Sequence, residues 1–146
     1  MFSQDFKEFL QSLNGNQVRY LVIGGYAVAF HGHPRFTKDL DVWIEISPVN
    51  ADRAVTAVAE FGFSSLNLTR DDFLDANQVI QMGFPPYRID LIMAPDGVDF
   101  ATCYDARIEV DMQGIKVPFI DLVNLRRNKQ ASGRHQDLAD LENLAE

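Results

Sequence analysis

The chain has 146 residues, of which 47% are hydrophobic and 23% charged, so it carries enough apolar material for the core of one globular domain over residues 1–146. Its formal net charge of −8 excludes broad, sequence-independent binding to nucleic acid as a main function, although it allows a small basic pocket. No apolar run is long enough for a membrane helix, and the N-terminus lacks a signal-peptide layout, so we expect a cytoplasmic protein. Cys103 is the only cysteine, so we expect no internal disulfide.

Helices and strands alternate along the predicted chain. Apolar residues that recur every three or four positions indicate helices, and runs that are continuously apolar, or that alternate with polar residues, indicate strands. Capping residues such as Ser47 and Thr69, together with glycine and proline, mark where elements begin or end. In chain order, the patterns predict a helix over 3–13, strand 18–23, short helix 26–30, strand 39–46, helix 47–61, a short helix after 69, strands 78–83 and 87–93, a helical turn 99–104, a hairpin of 106–112 with 115–119, and helices 121–130 and 134–145.

Acidic and apolar residues alternate strictly along the strand predicted over 39–46. Because side chains on a strand point to opposite faces in turn, Asp39 and Asp41 share one face with Trp43 and Glu45. Carboxylates and phosphate oxygens are ligands that magnesium prefers, so two acids on one face outline a divalent-metal site. Asp90, an acid between apolar residues of a later strand, is the best candidate for a third ligand. For each acid alone a solvated sheet face is the better interpretation, whereas the combination favours the metal site.

A doubled glycine, Gly24-Gly25, follows the first buried strand and precedes a short helix. Glycine permits backbone torsions that other residues resist, and amide hydrogens at a helix N-terminus favour anions such as phosphate. The G-x-G-x-x-G spacing of dinucleotide-binding turns is absent. Taken alone the pair is a weak signal, and a turn that serves packing is the alternative interpretation.

Together these residues resemble the signature of the DNA polymerase beta-like nucleotidyltransferase superfamily, in which two small residues precede an Asp-x-Asp pair and a later strand supplies another Asp. Here Gly24-Gly25 is followed by thirteen residues, Asp39-Leu40-Asp41 and, later, Asp90. The run from Gly24 to Glu45 resembles the abortive-infection E-type nucleotidyltransferase toxins and their small relatives. Similarity to later motifs of those toxins is carried by Leu125, Lys129, Ala131, Arg134 and Asp137.

The resemblance implies an α+β nucleotidyltransferase fold, with helices packed on a mixed β-sheet. It implies two Mg²⁺ ions on Asp39, Asp41 and Asp90, and a nucleoside triphosphate (NTP) as co-substrate, whose α-phosphorus is attacked by an acceptor hydroxyl while pyrophosphate leaves. The triphosphate would contact the Gly24-Gly25 turn, where the GS form of the motif has serine instead of Gly25. Further contacts to the triphosphate are expected from Arg35, Thr37, Lys129 and Arg134. Asp137 would orient Lys129 or assist the acceptor.

The acceptor implied by the resemblance is an RNA end, such as the 3′ end of a transfer RNA, or a hydroxyl on a partner protein. The same resemblance suggests a toxin–antitoxin or phage-defence pair, with a cognate antitoxin or a HEPN-domain protein as partner. One alternative is a non-catalytic module of the same fold that senses a nucleotide or binds a partner. Another is an aminoglycoside-type transferase, which shares the chemistry and differs in its acceptor.

Several other residues have two interpretations each. Trp43 shares the acidic face, so it either stacks on a base or is buried under a neighbouring helix. His31 and His33 could bind a soft metal, although loop histidines near a helix end are more often structural. Arg126, Arg127, Lys129 and Arg134 form a basic cluster in which several members are expected to lie on a solvated helix face or near a helix C-terminus, while one or two could reach the phosphates.

Overall fold

The computed structural model describes residues 3–32, 37–84 and 87–144. Its helices are α1 (Gln4–Gly15), α2 (Gly24–Phe30), α3 (Pro48–Val58), α4 (Phe100–Asp105), α5 (Leu122–Ser132) and α6 (His135–Asn143). Its strands are β1 (Tyr20–Ile23), β2 (Asp39–Ile44), β3 (Val79–Phe84), β4 (Tyr87–Ile92), β5 (Ile108–Met112) and β6 (Ile115–Phe119). The predicted order of helices and strands is therefore confirmed.

The six strands form one mixed sheet in the order β3-β4-β2-β1-β6-β5. β1 pairs with β2 in antiparallel and with β6 in parallel orientation, and β2 pairs with β4 in parallel orientation. The two outer pairs, β3 with β4 and β5 with β6, are antiparallel. The predicted α+β fold, a mixed sheet with helices packed on it, is confirmed.

Helices α1 and α3 begin where the sequence supplies a capping hydroxyl. Ser3 Oγ accepts a hydrogen bond from the Phe6 amide at 3.2 Å, and Ser47 Oγ accepts one from the Asn50 amide at 3.1 Å. The apolar stripe of α1 is fully buried; it consists of Phe6, Phe9, Leu10 and Leu13. Burying each such side chain contributes about 1.5–3 kcal/mol, which fixes α1 against the core.

The structure differs from the prediction in two helices. α3 ends at Val58 instead of Phe61, and the chain continues in irregular helical turns in which Gly62 has a φ of +114°. The helical spacing of Leu138, Leu141 and Leu144 predicts that they form the apolar stripe of α6, but this is wrong at Leu138, which is 48% exposed. The inward positions of α6 are held instead by Asp137 and Asp140, each 1% exposed, because both carboxylates pair with a buried lysine of α5.

No helix within the described ranges combines the length and the apolar character that crossing a bilayer requires.

Candidate active site

The pairing of β2 with β4 places the predicted acids side by side. Asp41 lies directly opposite Asp90, and Asp39 lies opposite Arg88. Residues that are opposite each other on neighbouring strands point to the same face of a sheet. Asp39, Asp41 and Asp90 therefore form a row on one face, which we call the acid row.

Gly24 closes one side of the acid row. Ile23, at the end of β1, pairs with Asp41, so the next residue lies directly against the Asp41 side chain. Gly24 has a φ of +69°, and a Cβ atom at this position would lie 2.1 Å from Asp41 Oδ2. Glycine is thus required for its backbone conformation and for the space that the carboxylate occupies.

Arg88 lies between two acids of the row and was not singled out from the sequence. Its Nε donates to Asp90 Oδ1 at 2.9 Å, and its Nη2 donates to Asp39 Oδ2 at 3.1 Å. The available signal was its position two residues before Asp90, which puts it on the same strand face.

Within the described residues, no three His, Cys, Asp or Glu side chains are grouped so that they could hold a metal ion.

Asp41 has a pKa well above that of an ordinary aspartate. Burial raises its pKa to about 7, and the neighbouring charges of Asp90 and Asp39 act in the same direction. Lys129 and Arg134 oppose this effect and lower the pKa. A carboxylate that resists ionisation beside two other carboxylates would be stabilised by any cation bound next to it.

A second charged group, which we call the lysine cluster, lies where α5 packs on α6. It consists of Lys129, Ser132, Arg134, Asp137 and Asp140. The Lys129 ammonium is buried, 3.0 Å from Asp137 Oδ1 and 3.2 Å from Asp140 Oδ2. Burial alone would raise the pKa of Asp137, but hydrogen bonds from Arg134, Ser132 and Lys129 hold that pKa well below its usual range.

Asp140 was not among the site residues predicted from the sequence. The signal that could have found it is the spacing of Asp137 and Asp140, which places the two carboxylates on one side of a helix. Within the cluster, the predicted contact between Asp137 and Lys129 is present, and Asp137 also accepts from Arg134 Nε at 2.7 Å. Asp137 therefore fixes both basic side chains.

One open cavity of about 320 Å³ is lined by Asp41 of the acid row and by Lys129, Ser132 and Arg134 of the lysine cluster. Its polar lining includes Asp41, Asp96 and Asn128, and Gly24 also lines it. Lys129 and Arg134 contribute positive charge, while the apolar part of the lining consists of Ile23, Val79, Ile92, Ala94 and Pro95. A lining that combines carboxylates, basic side chains and apolar side chains suits a ligand with both charged and apolar parts.

The other residues proposed from the sequence lie elsewhere or outside the described part of the chain. Thr37 Oγ1 donates to the Asp39 carbonyl at 3.3 Å, so Thr37 lies just before the acid row. Arg35 and His33 lie outside the described residues. Trp43 is buried, and its Nε1 donates to the Met93 carbonyl at 3.2 Å, so burial rather than base stacking is the correct interpretation.

The histidine of the described loop has a structural contact. His31 Nε2 lies 2.7 Å from the carbonyl oxygen of Ile120, which connects α2 to the strand end beside it. Arg126 likewise contacts a backbone carbonyl, that of Leu144, and Arg127 donates to Asn124 Oδ1 at 3.3 Å. These contacts connect the basic residues of α5 to neighbouring backbone and side chains.

No protein-family profile matches the chain, and no curated protein matches it in sequence. Solved structures do match. An antigenic nucleotidyltransferase-like protein from Paracoccidioides brasiliensis has a TM-score of 0.55 and 17% identity, over 97% of this chain and 73% of that one. A provisionally assigned nucleotidyltransferase from Thermotoga maritima has a TM-score of 0.58 and 15% identity, over 96% of this chain and 88% of that one.

A third similar structure is the lincosamide antibiotic adenylyltransferase LnuA with lincomycin bound. Its TM-score is 0.59 and its identity 13%, over 99% of this chain and 97% of that one. At such identities the likeness concerns the fold alone, and the narrower resemblance to abortive-infection toxins stays a prediction. The chain therefore has the nucleotidyltransferase fold.

Proposed function

We propose that this protein is a nucleotidyltransferase, which moves a nucleoside monophosphate from an NTP to an acceptor hydroxyl and releases pyrophosphate. The observation that carries the proposal is the acid row, which the pairing of β2 with β4 aligns beside Gly24. Its member Asp41 lines the cavity that Lys129 and Arg134 also line. The shared fold is consistent with this chemistry.

The acid row fits magnesium in the chemistry of its donor atoms, although in this structure its carboxylates are not grouped as a bound ion would require and Arg88 engages two of them. Asp39, Asp41 and Asp90 offer oxygen ligands from one sheet face, and Gly24 leaves the Asp41 carboxylate room beside the backbone. The disturbed pKa of Asp41 marks a place where a bound cation is favoured. When bound there, two Mg²⁺ ions would neutralise charge on the phosphates and lower the pKa of the acceptor hydroxyl.

The protein's own side chains would mainly position the triphosphate. Arg134 is the most available cation, since its side chain is 78% exposed while Asp137 holds its Nε. Lys129 faces the same cavity, but its charge is already balanced by Asp137 and Asp140, so we assign it chiefly to shaping the phosphate wall. Gly24 and Gly25 would let phosphate approach the main chain. Arg35 and Thr37 are proposed as further triphosphate contacts.

The acceptor is proposed to be an RNA end, such as the 3′ end of a transfer RNA, or a hydroxyl of a partner protein. A role in a toxin–antitoxin or phage-defence pair, with an antitoxin or HEPN-domain partner, belongs to the same proposal. LnuA, which shares the fold, is named for adenylyl transfer to a lincosamide, so small hydroxylated antibiotics belong among the acceptors to be tested.

The experiment offers each α-labelled NTP with Mg²⁺ and, in turn, total RNA, cell lysate, an aminoglycoside and a lincosamide. Asp39→Asn and Asp41→Asn should each lower transfer by about a hundredfold or more, because either change removes a carboxylate from the acid row. Asp111→Asn is the matched control, since Asp111 is exposed on the distant strand β5.

The destination of the label identifies the acceptor. Transfer that survives both acid-row changes would contradict the proposed site. NTP binding without labelling of any acceptor would favour the alternative, a nucleotide-sensing or partner-binding module.

A further inference from the structure

Arg88 contacts the acid row directly and engages three of its carboxylate oxygens. Its Nε and Nη2 contact Asp90 Oδ1 and Oδ2 at 2.9 and 3.3 Å, which is a two-point contact. Nη2 also donates to Asp39 Oδ2 at 3.1 Å. The guanidinium therefore bridges two strands and two carboxylates.

The backbone register explains why Arg88 lies there. It precedes Asp90 by two residues on β4 and lies directly opposite Asp39 on β2. An arginine guanidinium does not lose its proton at any ordinary pH, so its charge is always present between these acids. Three carboxylates on one face repel each other, and Arg88 offsets part of that repulsion.

We propose that Arg88 is a resident counter-ion that a divalent cation must displace from Asp39 and Asp90. This inference rests on the proposed function, because it concerns the carboxylates assigned there to magnesium. The oxygens that Arg88 engages are those the ion needs, and a positive charge so close also repels a divalent cation. In the absence of nucleotide, Arg88 thus weakens the affinity of the acid row for a divalent cation.

A triphosphate changes this competition. Its phosphate oxygens accept charge-assisted hydrogen bonds from a guanidinium, so a bound NTP offers the displaced Arg88 a new partner. Ion binding should therefore be coupled to nucleotide binding, and each should raise the affinity for the other. Arg88 acts in this way as a positioning residue, which reserves the acid row for the ion that arrives with nucleotide.

The test is Mn²⁺ binding followed by electron paramagnetic resonance, with and without a non-hydrolysable NTP analogue. Arg88→Gln should bind Mn²⁺ about tenfold more tightly than the wild type in the absence of nucleotide, because it removes the competing charge. The same variant should show less nucleotide-dependent gain in Mn²⁺ affinity, an effect that a purely structural role would not produce. Arg88→Lys keeps the charge but loses the two-point contact, so its Mn²⁺ affinity should lie between those of the wild type and Arg88→Gln.

Arg70→Gln is the matched control, because Arg70 makes a similar two-point contact with Asp52 on the protein surface. It should leave Mn²⁺ binding unchanged. Circular dichroism verifies that each variant is folded, and Arg88→Lys tests the charge should Arg88→Gln fail to fold.

The outcomes separate this inference from the proposed function. Mn²⁺ binding by the wild type, with equal or weaker binding by Arg88→Gln, would overturn the role of Arg88 and leave the metal site intact. Absence of Mn²⁺ binding in the wild type and in Arg88→Gln, with and without nucleotide, would overturn both.

Discussion

The acid row and the lysine cluster both contribute side chains to the same cavity, but they differ in their balance of charge. The acid row has three carboxylates against one arginine, and its members are partly accessible. The lysine cluster sets Lys129 and Arg134 against Asp137 and Asp140, and its central ion pairs are buried. The surplus negative charge of the acid row leaves it able to bind a cation. The balanced charge of the lysine cluster instead holds two helices and two basic side chains in place.

The strongest test of this contrast is Lys129→Met. It removes the only ammonium from the lysine cluster and leaves Asp137 and Asp140 buried with fewer partners. We expect a loss of about 3–5 kcal/mol in the free energy of unfolding, measured by urea denaturation. Lys116→Met, at an exposed position of β6, should change it by less than about 0.5 kcal/mol. A loss below about 1 kcal/mol for Lys129→Met would mean that the cluster does not stabilise the fold.

Gly24→Ala tests the acid row from the backbone side. The left-handed conformation of residue 24 should cost about 1–2 kcal/mol of stability with alanine, and the added Cβ would displace the Asp41 carboxylate. Nucleotidyl transfer, measured with labelled NTP, should therefore fall strongly.

Gly32→Ala separates the two effects of the change at Gly24. Gly32 has a φ of +104° and open space around it, so its substitution should cause backbone strain without moving the acid row. Equal loss of transfer in both variants would count against a special role for Gly24.

The third prediction concerns pH. Because the native state raises the pKa of Asp41 to about 7, it holds a proton there that the unfolded chain has already released. The free energy of unfolding should therefore fall as pH rises from about 4 to about 7, and level off above that. Without added metal, the fall should be about 1–2 kcal/mol larger in the wild type than in Asp41→Asn, compared by thermal unfolding at pH 5 and pH 8. Identical pH dependence in both proteins would show that folding does not raise the pKa of Asp41.

The smallest effect is expected at Leu138. It is half exposed on α6, so Leu138→Ala should change the free energy of unfolding by less than about 0.5 kcal/mol. Leu144→Ala removes a buried side chain and should cost about 2 kcal/mol or more in the same urea titration. A larger loss of stability for Leu138→Ala than for Leu144→Ala would show that Leu138 points inward, as its helical spacing predicts.

The contrast between the two groups also explains which site residues could be predicted from the sequence. Asp39 and Asp41 were recognisable because the alternation along one strand depends only on local spacing. Asp90 was recognisable as an isolated acid in an apolar run. Their alignment across β2 and β4 depends on a parallel register between strands far apart in the chain, which no local pattern specifies.

Arg88 and Asp140 were missed because their roles depend on partners in other elements. Nothing local distinguishes Arg88 from a surface arginine until β2 places Asp39 opposite it. In α6, hydrophobicity favoured Leu138 as an inward residue, whereas the ammonium of Lys129 makes the inward side polar. Helical periodicity found the helix but could not identify its buried face, since ion pairing overrode the usual preference for apolar burial.

The strand pairing that aligns Asp41 with Asp90 has a consequence for how such a protein can diversify. The connection between the two strands passes through an exposed turn at Asn67, which has no part in that alignment. Lengthening a loop costs little, about 0.6 kcal/mol for each doubling. New segments can therefore be inserted at this turn, and selected for other acceptors, while the reacting groups keep their places.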